Sequence, residues 1–176
     1  MPDKNFRMMN LELKKVKVVN EMSEETTCFY AVLYVNGIKA ADCSNDGKGG
    51  MTDVRFYDSG IRDEVEQYCM DNPVVNVFRG KEHRFTGVDI RVDELLVEYQ
   101  MMKELKSKQK KSLVFHNNKM KDPQYVIHSF LNLRQPVDKI METETGQQFI
   151  KTQIESFRKK GFTIMNTNIN YQSLGL

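Results

Sequence analysis

Between Asp42 and Asp53 the chain reads Asp-Cys-Ser-Asn-Asp-Gly-Lys-Gly-Gly-Met-Thr-Asp, a run of glycines and short polar side chains that interrupts a series of strand-like segments. Glycine admits positive φ and close approach to the backbone, so Gly47, Gly49 and Gly50 could turn several N–H groups toward one point and make an anion-binding nest. Lys48 adds a mobile positive charge, and Arg55 a planar fork suited to phosphate or carboxylate. With Asn45, Asp46 and Thr52 these residues form the candidate site. Its expected occupant is a phosphorylated ligand, such as a nucleotide or a nucleotide second messenger. The Walker pattern is not met, because Gly47-Lys48 is followed by Gly49 where Ser or Thr belongs, and Asp42 stands in place of the first glycine.

The same residues also align with the calcium-loop template, with oxygens from Asp42, Ser44 and Asp46, the turn at Gly47, the Lys48 carbonyl, and Asp53 in last place. Against that alignment, Gly49 stands where a hydrophobic residue is usual, Asp53 is shorter than the usual Glu, and the flanks read as strands. A third reading is a polar, glycine-rich connection between strands with no ligand at all.

Other candidates are weaker in pattern. His83, His116 and His128 form no H-x-H, H-x-x-x-H or H-E-x-x-H spacing and read as structural. If the strands around Asn117-Asn118 pair with His116 opposite Tyr125, His128 falls opposite Leu113 and the two histidines face apart; a one-residue shift would bring them together. Cys28, Cys43 and Cys69 form no C-x-x-C pair and read as reduced, partly buried thiols. No serine or cysteine nucleophile motif is present. Glu24 and Glu25, just before a strand, could hold a divalent ion near the glycine-rich loop, which keeps a metal-dependent nuclease open as an alternative. From Lys103 to Lys121 seven lysines face one acid, Glu104. Lys103, Lys106, Lys108, Lys110 and Lys111 in that run are the candidate nucleic-acid contacts, against the plainer reading of a solvated helix end.

The elements that must position these residues follow from periodicity. Leu11, Leu13, Val16 and Val18 make a strand whose phase slips at Lys14-Lys15, the mark of a bulge. From Thr26 to Val35, Phe29, Ala31, Leu33 and Val35 occupy one face and Cys28, Tyr30, Val32 and Tyr34 the other, and both faces read as covered. Asn36-Gly37 is a type I′ hairpin signal, Ile38 to Cys43 returns, and Met51, Val54 and Phe56 allow a fourth strand. Asp58 or Ser59 caps a helix through Cys69 that stops before Asn72-Pro73. Val74 to Phe78 leads into a polar loop, Arg79 to Gly87, and a helix with Val92, Leu95, Leu96, Tyr99 and Met102 on one side follows. Ser112 to His116 and Tyr125 to Phe130 are strands, Val137 to Met141 is a separate turn, and Gly146 starts or breaks a helix through Phe157 that closes at Gly161. Phe162 to Met165 is a last strand, which could add one parallel pair.

This order predicts an α+β fold, a mostly antiparallel sheet with about three helices packed on it. A chain of 176 residues is long enough for one domain. Within it the meander spans about 7–57, a helical segment about 58–111, and a strand-helix-strand part about 112–170. No apolar run reaches the roughly 20 residues of a membrane span, and the N-terminus has no apolar leader core, so a cytoplasmic location is expected.

Four segments in this order, Met22-Ser-Glu-Glu-Thr-Thr27, Leu33-Tyr-Val-Asn-Gly37, Asn45-Asp-Gly-Lys-Gly-Gly50 and Ile164-Met-Asn-Thr-Asn-Ile169, resemble small accessory proteins of bacteriophages and prophages. The resemblance covers most of the chain and transfers no catalytic residue. It implies a non-enzymatic protein without a cofactor, acting in the host cytoplasm by binding a nucleotide signal or by blocking a host defence enzyme. A homodimer would suit a symmetric nucleotide.

Overall fold

The computed structural model describes residues 9–117 and 128–176. The chain divides into two compact units, Met1–Gln100 and Met101–Leu176. Helices and antiparallel strands occupy separate stretches of each, giving the expected α+β fold.

In the first unit, β1 (Leu11–Val18), β2 (Phe29–Val35), β3 (Ile38–Asn45) and β4 (Asp53–Phe56) form an antiparallel meander in sequence order. The phase slip in β1 is a bulge: the register shifts between Lys14 and Lys17, and Lys15 sits at φ 53°. One extra residue changes the parity of the strand, so Leu11 and Leu13 before it and Val16 and Val18 after it all reach the same core. Asn36 and Gly37, at φ 50° and 84°, close the β2–β3 hairpin. A second bulge follows, since Leu33 pairs with Ala41 and Tyr34 with Lys39, leaving Ala40 as the extra residue.

Asp58 caps α1 (Ser59–Asp71), its Oδ1 accepting from Ile61 N at 2.9 Å. Val65 and Cys69 of α1, with Val92 and Leu96 of α2 (Val88–Gln109), join Phe29, Ala31, Leu33 and Val35 in one buried cluster. Both helices therefore cover the same face of the meander. The opposite face is more open than its sequence suggests: Val32 is buried, but Tyr30 is 46% exposed and Tyr57 50%. The expected polar loop after Phe78 is instead a second small sheet, β5 (Val74–Phe78) against β6 (Lys81–Phe85). Lys81-Glu-His-Arg84 lacks the apolar alternation of a strand, and its extended form follows from the two-residue turn at Arg79-Gly80, φ 51° and 75°.

In the second unit, β7 (Ser112–Asn117) lies between β8 (His128–Asn132) and β9 (Phe162–Ile164), antiparallel to both. The anticipated parallel ladder does not form. The strand-helix-strand segment joins the two outer strands, and β7 separates them. Between β8 and β9 run α3 (Val137–Met141) and α4 (Glu144–Lys159), the latter capped by Thr143 Oγ1, which accepts from Gly146 N at 3.0 Å. Gly146 neither starts nor breaks α4. A Cβ there would lie 1.9 Å from the Ile140 carbonyl, so the glycine permits the close approach of α3. Ile150 and Ile154 of α4 pack with Leu113, Phe115, Val137, Ile169 and Leu174, and the Phe157 ring stacks on Phe115 at 3.8 Å.

Candidate functional site

The glycine-rich loop is closed on itself. Asn45, the last residue of β3, is buried and acts as a hub: its Oδ1 accepts from Gly47 N at 2.9 Å and from Thr26 Oγ1 at 2.8 Å, and its Nδ2 donates to the Gly50 carbonyl at 2.9 Å. Thr52 Oγ1 lies 3.4 Å from the same amide nitrogen and donates to Asp93 Oδ1 on α2 at 2.5 Å. The N–H of Lys48 goes to Asp46 Oδ1 and that of Gly49 to Thr26 Oγ1. Thus the amides of Gly47 and Gly49, two of the three glycines expected to form the nest, and that of Lys48 between them have partners within the protein. The Gly47 carbonyl in turn accepts the N–H groups of Glu24, Glu25 and Thr26 at 2.9 to 3.2 Å. The Ser23–Thr27 segment and the loop do meet, and backbone groups make the contact. Gly47 stands at φ 86°, and a Cβ there would lie 2.1 Å from the Met22 carbonyl. Its glycine identity follows from that φ and that packing, with no ligand required.

Asp42, Ser44, Asp53 and Arg55 belong elsewhere. They lie in β3 and β4, where the register sets Asp42 opposite Arg55 and Ser44 opposite Asp53, all on the sheet face turned away from the helices. Of the side-chain oxygens in the calcium set only that of Asp46 stays in the loop with Gly47 and Lys48, and its Oδ1 already holds Lys48 N. Among the described residues no three His, Cys, Asp or Glu side chains gather as a metal site, and Glu24 and Glu25 are exposed. Lys48 is exposed, and Arg55 Nε pairs with Asp53 Oδ2 at 2.6 Å instead of reaching toward the loop.

No protein-family model matches the chain, and no curated protein or solved structure matches it either. A functional reading therefore rests on the geometry of the chain's own surfaces. The most organised of these is the open face of the first sheet, which sequence reasoning did not single out. Asp42 Oδ1 accepts from Tyr57 Oη and, at 2.8 Å, from Tyr30 Oη. Lys39 Nζ sits 3.9 Å from the same carboxylate and 4.3 Å above the Tyr57 ring, and Lys14 Nζ lies 4.7 Å above Tyr34. Hydrogen bonds from Tyr57 and then Tyr30 hold the Asp42 carboxyl below its ordinary range. The Tyr30 hydroxyl is pushed up chiefly by its bond to Asp42, and that of Tyr57 by desolvation and then by Asp42. The alternation of Phe29–Val35 separates Tyr30 and Tyr34 from the core face. The sequence pattern carries no signal of what lies over that face; within the first unit Tyr30 stays exposed and Tyr34 half-buried.

A cavity of about 200 Å³ adjoins the loop on the helix side, lined by Thr26, Thr27, Asn45, Asp93 and Gln100 with Phe29, Leu96 and Val97. Its one charged group is Asp93, whose carboxyl is pushed up by desolvation and eased by the Thr52 hydroxyl. A phosphate here would face a carboxylate with no cation on the walls. In the second unit, Lys103, Lys106 and Lys108 lie on the last turns of α2 and Lys110 and Lys111 just beyond, all exposed and suited to the helix C-terminus. The far end of that run, Lys119 and Lys121, lies outside the described residues, as does Tyr125. The observed register sets His116 opposite His128 and Leu113 opposite Leu131, so the two histidine positions are directly paired. Ile164-Met-Asn-Thr-Asn-Ile169 is a structural clasp: Asn166 Oδ1 accepts from Val114 N at 2.7 Å, and Gln109 Oε1 accepts from Thr167 N and Oγ1.

Proposed function

We propose that this chain is a non-enzymatic interaction protein that docks a partner protein on the tyrosine face of its first sheet. The observation that carries this reading is the convergence of the Tyr30 and Tyr57 hydroxyls on Asp42, with Lys39 over the Tyr57 ring. Exposed aromatic side chains already held in one conformation lose little rotamer entropy on docking, and tyrosine supplies both apolar area and a polar tip. Arg55 and Lys14 flank the cluster with the charged groups common around such anchors. The resemblance to phage accessory proteins supports a host defence enzyme as the partner. A phosphorylated ligand at the glycine-rich loop ranks second, because it would have to displace Asn45, Asp46 and Thr26 from the three amides they hold.

The test is capture of host proteins by the immobilised wild type, by Tyr30→Ala/Tyr57→Ala and by Lys48→Ala, with bound species quantified by mass spectrometry. Two anchors worth about 1–2 kcal/mol each predict a loss of roughly 30-fold or more for the tyrosine variant and none for Lys48→Ala. Capture indifferent to the tyrosines would overturn the reading. So would a nucleotide retained in native mass spectra and lost with Lys48→Ala.

A further inference from the structure

The cavity of about 200 Å³ beside the glycine-rich loop lies wholly within the first unit, and it gathers polar groups that the fold leaves without partners. Asp93 Oδ1 accepts from Thr52, and no other hydrogen bond or ion pair among the described residues reaches that carboxyl. The Thr27 hydroxyl and the Gln100 side-chain amide line the same space and have no hydrogen-bond partner among the described residues. Phe29, Leu96 and Val97 supply the apolar part of the wall, and no Lys, Arg or His joins them. A half-buried carboxylate with no cation beside it is costly to keep charged. Asp89, one turn earlier on α2, adds negative potential instead of relieving it.

We propose that this cavity binds a small organic ammonium ion, a primary amine on a short apolar body, with its charge on Asp93. An ammonium group brings three N–H donors and no acceptor; the Asp93 carboxylate, the Thr27 hydroxyl and the Gln100 carbonyl supply three acceptors around one space. The ligand is the counter-ion that the protein itself does not provide, and hydrogen bonds assisted by charge are about twice as strong as neutral ones. The apolar wall takes the carbon body. A cavity of about 150 Å³ holds a benzene molecule, so one of about 200 Å³ admits roughly eight non-hydrogen atoms. A divalent metal fits less well, because one carboxylate lines the space and such ions gather several charged or carbonyl oxygens. Thr52 joins Asp93 to Asn45, so an occupied cavity also steadies the glycine-rich loop. None of these residues belongs to the tyrosine face, and the two sites stand or fall separately.

Three probes that share one carbon chain make the test: n-pentylammonium, 1-pentanol and pentanoate, each titrated into the full chain and followed by amide N–H correlation spectra. The ammonium is expected to bind with a dissociation constant of about 1 mM or tighter, and the alcohol and the acid at least about tenfold more weakly. Its shifts are expected to concentrate at Thr26, Thr27, Asn45, Leu96 and Gln100, which line the cavity. Asp93→Asn keeps an acceptor for Thr52 and is expected to weaken the ammonium at least about tenfold, and Gln100→Leu about threefold. Glu98→Gln removes an exposed carboxylate from the same helix and leaves the affinity unchanged. No saturable shift up to about 20 mM, equal affinity for 1-pentanol, binding indifferent to Asp93→Asn, or displacement of the ammonium by an equal concentration of calcium would overturn the proposal.

Discussion

Replacing Asn45 by alanine separates a structural loop from a ligand-binding one. The substitution removes three hydrogen bonds of 2.8 to 2.9 Å, from Thr26 Oγ1, from Gly47 N and to the Gly50 carbonyl, and a longer contact to Thr52. At about 1 kcal/mol net for each good bond, with an added cost where the buried Gly47 N–H loses its acceptor, the loss comes to roughly 2–4 kcal/mol. Thr26 and the Gly50 carbonyl can turn to water, which keeps the figure at the low end of full desolvation. Urea unfolding followed by far-UV circular dichroism reads the effect; with a slope of about 1–3 kcal/mol/M the midpoint falls by roughly 1–2 M. Lys48→Ala, one turn of the same loop, removes only an exposed side chain and is expected to shift stability by less than about 0.5 kcal/mol. If Asn45→Ala costs under about 0.5 kcal/mol, or Lys48→Ala costs as much, the hub assignment fails and the case for a ligand at the loop returns.

Three further outcomes follow from the same unit. Gly47→Ala, at φ 86° with its new Cβ 2.1 Å from the Met22 carbonyl, is expected to cost about 2–4 kcal/mol, whereas Gly50→Ala, with nothing within 4 Å, stays within about 0.5 kcal/mol; equal midpoints for the two would refute the packing account. Asp93 has a folded pKa raised by desolvation above the ordinary 3.8, so the folded state binds the extra proton and stability is lost as pH rises from 3.8 through the folded value. Asp93→Asn keeps an acceptor for Thr52 and is expected to flatten that loss, which melting temperatures from about pH 4 to about pH 7 would show; parallel curves would refute it. The Cys43 thiol is fully buried and pushed up to about 12, so native protein should resist iodoacetamide at mildly alkaline pH and react once urea is added, while rapid native labelling of Cys43 would contradict the burial.

Much of the fold was legible because its local signals agree with one another. The slip at Lys14-Lys15, the Asn36-Gly37 turn and the Asp58 cap are short-range chemistry, and each appears where the sequence places it. β6 was not legible, because its strand character comes from a partner and a turn and not from its own apolar pattern. Nor was the antiparallel setting of β9, since a strand-helix-strand segment reads the same whether its strands are neighbours or flank a third. The loop shows the limit for sites. Glycines, Asn, Asp and Thr at close spacing serve an anion nest and a self-bonded hub equally well, and only the partners of the Gly47, Lys48 and Gly49 amides tell them apart. Arg55 and Asp42 are separated from the loop by strand parity, which becomes visible once β3 and β4 are paired.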